Sequence, residues 1–221
     1  ICEHFIGSSR DYQNLVYVTV GRGIGASAIL SNRLTKGARG GAGVIGHMSI
    51  NKDGEKCSCG KRGCLRLYAT ELTFMSRIRE AVQRGQNVPC SVFDSQTDQI
   101  YPREVYTEAV RGEPYCTELL TALLDDLAIG LSNLVNLFNP ERIIVGGNLL
   151  KAQELAIPYL NSKMSEYADA PPTAVEVVAS ELGKEASTYG VASMVYNNHF
   201  LRKPLLLRTK TGVSAAGSRV R

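Results

Sequence analysis

No stretch of this 221-residue chain is apolar for the ~18 residues that a membrane-crossing helix requires, which excludes a helical span. Histidine is scarce. His4, His47 and His199 are the only three, so imidazole acid–base chemistry has few possible seats. His4 precedes a turn and His199 falls on the last expected helix, and neither is read as a catalytic base. Residues 201–221 contain no acidic side chain, yet they carry Arg202, Lys203, Arg208, Lys210, Arg219 and Arg221. The rest of the chain then holds 19 basic against 21 acidic residues. The net charge of +4 therefore belongs to the tail, and by charge the body is not a nucleic-acid surface. No secretory leader is expected, since Ile1 is followed by Cys2, Glu3 and His4. The chain opens mid-pattern without methionine and reads as a fragment. Of six cysteines, Cys2, Cys90 and Cys116 are scattered and read as ordinary thiols. This usage suits a reducing cytoplasm better than a disulfide scaffold.

What is present is enough apolar residue, 44%, to build the core of one full domain or two small lobes. Residues 1–10 read as the end of a helix capped by Gly7. Residues 15–20 alternate and are rich in valine, as a strand is. A tight turn over residues 21–25 leads to a second strand, 26–30, and Asn32 and Arg33 close a hairpin to Leu34. Residues 36–43 are a glycine-rich loop. Residues 70–84 form an amphipathic helix, with Leu72, Met75, Ile78 or Arg79, and Val82 on one face and Gly85 at its end. Residues 86–101 are a polar excursion. A helix enters at Pro102 and runs to Val110. The longest helix covers 114–139, with a leucine stripe wide enough for burial on more than one side, and Asn139-Pro140 breaks it. A short buried strand, 142–145, ends in Gly146-Gly147. A helix over 153–167 is entered or bent at Pro158. A strand over 174–179 and a helix over 185–200 follow, and residues 202–221 are expected to be a disordered basic tail. Strands alternating with helices indicate an α/β fold with a mixed sheet.

The most distinctive stretch is GVIGHMSINKDGEKCSCGKRGCLRLY, residues 43–68. His47 precedes Cys57, Cys59 and Cys64, which are spaced Cys-x-Cys-x4-Cys. Four such ligands are what tetrahedral Zn²⁺ takes in a closed structural site. Lys56, Lys61 and Arg62 would favour the thiolate forms. The other reading is three buried or disulfide-bonded cysteines, although Cys57 and Cys59 are too close for an easy mutual disulfide.

This run resembles the zinc motif of the ROK family, which contains bacterial sugar kinases and sugar-responsive repressors. Three further stretches resemble the family in order. They are VTVGRGIGASAIL at 18–30, FNPERIIVGG at 138–147 and LGKEASTYGVASMVYNNHFL at 182–201. The likeness leans to the xylose-repressor type. It implies an actin-like ATPase (ribonuclease-H-like) lobe over residues 1–201 with a mixed sheet, flanking helices and a zinc-binding loop at 47–64. It also implies a phosphate-side turn at Gly21, Arg22, Gly23 and Gly25, and an adenosine-side turn at Gly146 and Gly147. On the residues alone, the first is equally a plain hairpin turn and the second a plain strand exit.

Three departures from the kinase pattern matter. Arg22 stands where kinases have threonine. Val44 and Arg66 stand where the family has sugar-binding glutamates, on either side of His47. Valine accepts no hydrogen bond, and a sugar hydroxyl left without a partner costs roughly 1–3 kcal/mol. Arginine is a donor only. The family's catalytic aspartate belongs to a segment upstream of Ile1. The expectation is the effector-binding and oligomerisation part of a ROK transcriptional regulator, with structural Zn²⁺ and His47, Val44 and Arg66 around the ligand. The effector would be a sugar or an anionic sugar derivative, and DNA would be contacted only through an upstream region. A homo-oligomer is expected. The alternatives are an ATP-dependent hexose kinase and a lobe kept for packing alone.

Overall fold

The computed structural model describes residues 3, 7, 9–167, 175–183 and 188–192. Three strands open the described chain: β1 (Leu15–Val20), β2 (Ile24–Leu30) and β3 (Arg33–Leu34). Ser31 and Asn32 both have positive φ, 50° and 60°, which is what a two-residue hairpin turn between β2 and β3 demands. After a loop come two single 3-10 turns, Ile45–His47 and Leu65–Leu67, and helix α1 (Glu71–Gln83). Strands β4 (Phe93–Asp94) and β5 (Gln99–Ile100), then helices α2 (Glu104–Val110) and α3 (Pro114–Phe138), lead to β6 (Arg142–Gly147). Helix α4 (Gln153–Tyr167) and β7 (Glu176–Ala179) complete the series.

The main sheet has the order β3-β2-β1-β6-β7. The β1/β2 and β2/β3 pairs are antiparallel, and the β1/β6 and β6/β7 pairs are parallel, so the sheet is mixed as expected. Val16, Val18 and Val20 share one face of β1 by strand alternation, and all three are fully buried. Their parallel partners Ile143 and Val145 lie on the same face. This face belongs to one apolar cluster with Leu120, Leu123, Leu127 and Leu131 of α3. Fully burying a leucine is worth roughly 1.5–3 kcal/mol, so this helix is the main support under the sheet. Its start is set by Glu113, whose carboxylate accepts from the Cys116 amide at 2.7 Å, and by Pro114 in the first turn. Asn139 ends it in the left-handed region.

Two expectations need correction. In α1 the buried residues are Glu71, Thr73, Phe74, Ile78 and Ala81, while Leu72, Met75 and Val82 are half-buried. The core-facing stripe runs through Phe74, Ile78 and Ala81, and Phe74 meets Tyr106 of α2 edge-on at 5.3 Å. Thr73 is tolerated inside because its hydroxyl donates to the Leu67 carbonyl at 3.0 Å. The excursion at 86–101 is also more ordered than expected, since it contains the β4/β5 hairpin, with Val92 and Ile100 buried. Helix α4 has the expected bounds and accommodates Pro158 internally. Residues 188–192 are helical, in agreement with the expected closing helix. The remainder of that helix, most of residues 1–10 and the whole of 202–221 lie outside the described residues.

Candidate metal centre and neighbouring ligand site

Residues 48–65 fold back on themselves. The Ile50 amide donates to the Gly63 carbonyl and the Leu65 amide to the Met48 carbonyl, both at 2.8 Å. This short ladder carries Cys64 beside His47, and the Cys64 thiol lies 3.8 Å from the His47 carbonyl oxygen. At the far end Cys57 N–H donates to Lys61 O at 2.8 Å and Gly60 N–H to Cys57 O at 2.9 Å, a tight turn that holds Cys59, itself exposed, next to Cys64. The crossing at Gly63 is very close. Its φ is +63°, and a β-carbon there would stand 1.6 Å from the Asn51 carbonyl oxygen, so only glycine fits. Leu65, fully buried, packs on Gly130 of α3 and ties the loop to the core.

The ligand atoms of His47, Cys57, Cys59 and Cys64 all lie within 4.8 Å of one another. His47 Nδ1 is 3.6 Å from Cys57 Sγ, and Cys59 Sγ is 3.5 Å from Cys64 Sγ. A tetrahedral ion with bonds of about 2.3 Å to sulfur and about 2.0–2.1 Å to nitrogen has ligand–ligand edges of about 3.5–3.8 Å, so the donor set fits one metal ion. The thiols are free, because 3.5 Å far exceeds the ~2.05 Å of a disulfide. Four protein ligands leave no open coordination position, which is the arrangement of a structural rather than a catalytic site. The thiols also share charge unevenly. The Cys59 backbone N–H beside its sulfur brings the Cys57 thiol down to about 6, against the opposing effect of burial. Burial pushes Cys64 up to about 12, with its two thiol neighbours adding to the rise. A cluster that holds one thiolate easily and resists more is one that a divalent cation would relieve.

Of the residues expected around a ligand, His47 belongs to this cluster and Arg66 lies beside the turn that carries it, whereas Val44 faces elsewhere. Gly46, next to His47, is buried between β2 and the 65–67 turn. A β-carbon on Gly46 would stand 2.9 Å from the Ile24 carbonyl oxygen and 3.5 Å from the Arg66 β-carbon. With Nδ1 of His47 on the cluster, Nε2 lies on the opposite edge of the ring. Val44 is 62% exposed and borders an apolar cavity of about 230 Å³ with Ala26, Ala28, Leu134 and Phe138. Arg66 is half-buried.

The two glycine turns also meet. Because β1 and β6 run parallel with Val20 opposite Gly147, Gly21 and Gly146-Gly147 sit side by side at the carboxyl ends of their strands. Open α/β sheets bind ligands at such ends. Here, however, the Gly21 amide donates to the Gly23 carbonyl at 3.0 Å, and the Gly21 carbonyl accepts from the Glu71 amide at 2.9 Å. The Arg22 side chain is exposed. Sequence reasoning missed the pair that fills the junction. Glu71 is 2% exposed, and its Oε1 accepts from Asn148 Nδ2 at 2.6 Å. No local signal marks this pair, whose members are 77 positions apart.

A mixed sheet flanked by helices, with a cysteine–histidine cluster beside it, is a lobe of the actin-like ATPase fold. The chain belongs to the ROK family, whose pattern matches residues 1–198. It is 32% identical over 197 residues to the xylose repressor of Caldicellulosiruptor bescii, covering 89% of this chain and 49% of the repressor. Among solved structures it is similar to a ROK family transcriptional regulator that is a homologue of the E. coli MLC protein. The TM-score is 0.79 and the identity 26%, with 92% of this chain and 52% of that chain covered. It is also similar to a ROK family glucokinase from Streptomyces griseus in complex with glucose and AMPPNP, at TM-score 0.76 and 26% identity, covering 87% of this chain and 64% of that one. The chain spans about half the length of the xylose repressors it matches.

Proposed function

We propose that the chain is the effector-binding and oligomerisation part of a sugar-responsive ROK transcriptional regulator. In this reading it is cytoplasmic and homodimeric, and it meets DNA through a further region of the protein. His47, Cys57, Cys59 and Cys64 hold a structural Zn²⁺, which fixes the 48–65 loop and sets the His47 ring beside the effector. The observation that carries the reading is the identity of Val44 and Arg66, the latter with its β-carbon beside Gly46 next to His47. These two side chains stand where kinases of the family present glutamates to the sugar, and neither accepts a hydrogen bond. Glu71 supports it from the other side, since a resident carboxylate at the strand ends repels nucleotide phosphates.

The likeness to a glucokinase that holds glucose and AMPPNP favours a second reading, an ATP-dependent hexose kinase. The two separate on the remainder of the gene and on turnover. A helix-turn-helix segment together with absent phosphoryl transfer supports the regulator. An Asp-x-Gly-x-Thr strand together with hexose-dependent ATP consumption by the full-length protein overturns it.

A further inference from the structure

We propose that Tyr68 is a positioning residue for the metal centre, its phenol clamping the Gly54–Glu55 peptide so that Cys57 and Cys64 are held at metal-binding distance. This rests on the reading that the cysteine–histidine cluster holds a metal ion, and deepens it.

Tyr68 lies outside the 48–65 loop, directly after the Leu65–Leu67 turn, and its own backbone is fixed there. Its amide donates to the Leu65 carbonyl at 3.0 Å, and the next two residues, Ala69 and the α1 cap residue Thr70, are fully buried. The half-buried side chain reaches back to the loop, where its phenol oxygen accepts from the Glu55 amide at 3.1 Å. The carbonyl of the same peptide unit, that of Gly54, accepts from Arg62 Nη1 at 3.2 Å. Among the described residues, the other hydrogen bonds of residues 51–56 stay inside the loop. Tyr68 therefore ties this part of the loop to the core side of the lobe.

Glu55 passes that restraint to the thiols. Its carbonyl accepts from the Gly63 amide at 2.9 Å, and Gly63 immediately precedes Cys64. Cys57 follows two positions after Glu55 on the other arm. Gly54 shows how closely the phenol is seated. A β-carbon there would stand 2.1 Å from the Tyr68 phenol oxygen, 3.1 Å from the Gly63 α-carbon and 3.2 Å from the Asn51 β-carbon. Gly54 is not one of the glycines with positive φ, so space rather than backbone conformation demands glycine. Tyrosine at 68 and glycine at 54 form a matched pair. Groups behind the ligands fix the geometry that a metal meets, and losing one costs about 10–100-fold in affinity. Glu55 is exposed, so water can take up its amide when the phenol is removed. The loss then falls on the fixed position of the loop and little on the stability of the lobe.

The test is the rate at which the full-length, zinc-loaded protein yields zinc to excess chelator, read with a zinc-sensitive dye. The parent, Tyr68→Phe, Gly54→Ala and the double variant are compared, with denaturant unfolding of each metal-free protein alongside. Tyr68→Phe keeps the ring, and it is expected to unfold near the parent's midpoint yet release zinc about tenfold faster. Gly54→Ala should release zinc faster by about as much, because its methyl displaces the phenol. In the double variant the missing hydroxyl makes room for that methyl, so its effect should be smaller than the product of the two single effects. Release from Tyr68→Phe at the parent's rate overturns the inference and leaves the metal reading standing. Faster release that comes with an equal fall in metal-free stability also overturns it, since that is a general loss of packing. Single effects that simply multiply in the double variant overturn the pairing of Tyr68 with Gly54. Should Gly54→Ala fail to fold, Tyr68→Phe decides alone. A parent protein that takes up no zinc removes both the inference and the metal reading.

Discussion

The side-chain amide of Asn148 donates a 2.6 Å hydrogen bond to the carboxylate of Glu71, and it does so at the carboxyl ends of β1 and β6. The bond joins the start of α1 to the turn after β6, two elements that approach only because the parallel pairing sets Val20 opposite Gly147. A hydrogen bond to a buried charged group contributes about 1.5–3 kcal/mol. Asn148→Ala should therefore lower stability by about that amount, measured by denaturant unfolding, while Glu71→Gln, which keeps an acceptor, should cost less.

The same contact bears on catalysis. A carboxylate in the crevice would repel nucleotide phosphates. General base catalysis alone contributes ~10²–10⁴-fold. A coupled kinase assay of this chain with a panel of hexoses should give no turnover approaching ~1 s⁻¹, an ordinary enzyme rate. Turnover at that level contradicts the account.

The loop glycines separate strain from clash. Gly60 has φ +91° but no atom within 4 Å of a β-carbon placed on it, so Gly60→Ala should cost about 1–2 kcal/mol and keep the metal. Gly63→Ala would drive its methyl into the Asn51 carbonyl and prise Cys64 from His47. Elemental analysis after purification should find about one equivalent of zinc in the parent protein and in Gly60→Ala, and far less in Gly63→Ala.

Thiol labelling reads the cluster directly. Exposed Cys90 should alkylate quickly. Cys116, buried in α3 and pushed up to about 12 by that burial, should stay unreactive. Cys57, Cys59 and Cys64 should be protected until a chelator is added, Cys57 then reacting first. The pH dependence follows from the same groups. In metal-free protein, Cys57 ionises more easily folded than unfolded, so its contribution is complete above the unfolded thiol value of about 8.5 and is lost as pH falls through about 6. Cys64 has the opposite sign, and it destabilises once pH rises above the unfolded value towards about 12. Bound zinc competes with protons for the same sulfurs, so a zinc-sensitive dye should register release below about pH 6 and none at neutral pH.

Legibility in the sequence followed the range over which each feature is encoded. Valine alternation gave β1 its bounds, and the leucine spacing of α3 and its Asn139-Pro140 stop gave that helix within a residue. Three of the four candidate metal ligands lie within eight positions, so the cluster is legible without the fold. The buried face of α1 was only partly so, because apolar spacing marked Ile78, which is buried, but also Leu72, Met75 and Val82, which are half-buried. Burial also followed Phe74 and Ala81, with Thr73 bonded to the Leu67 carbonyl and Glu71 to Asn148. The β4/β5 hairpin escaped notice because two residues per strand show no alternation. The Glu71–Asn148 bond, which separates this crevice from a phosphate cradle, exists only once β1 and β6 are paired.

The most direct measurement is fluorescence anisotropy of the full-length protein on DNA from its own promoter region, with and without sugars and sugar acids, alongside ATP consumption under the same conditions. The account predicts specific binding on the order of 10⁻⁸ M or tighter, released by an effector, with no effector-dependent loss of ATP. A protein that ignores the DNA and consumes ATP when a hexose is added would contradict it.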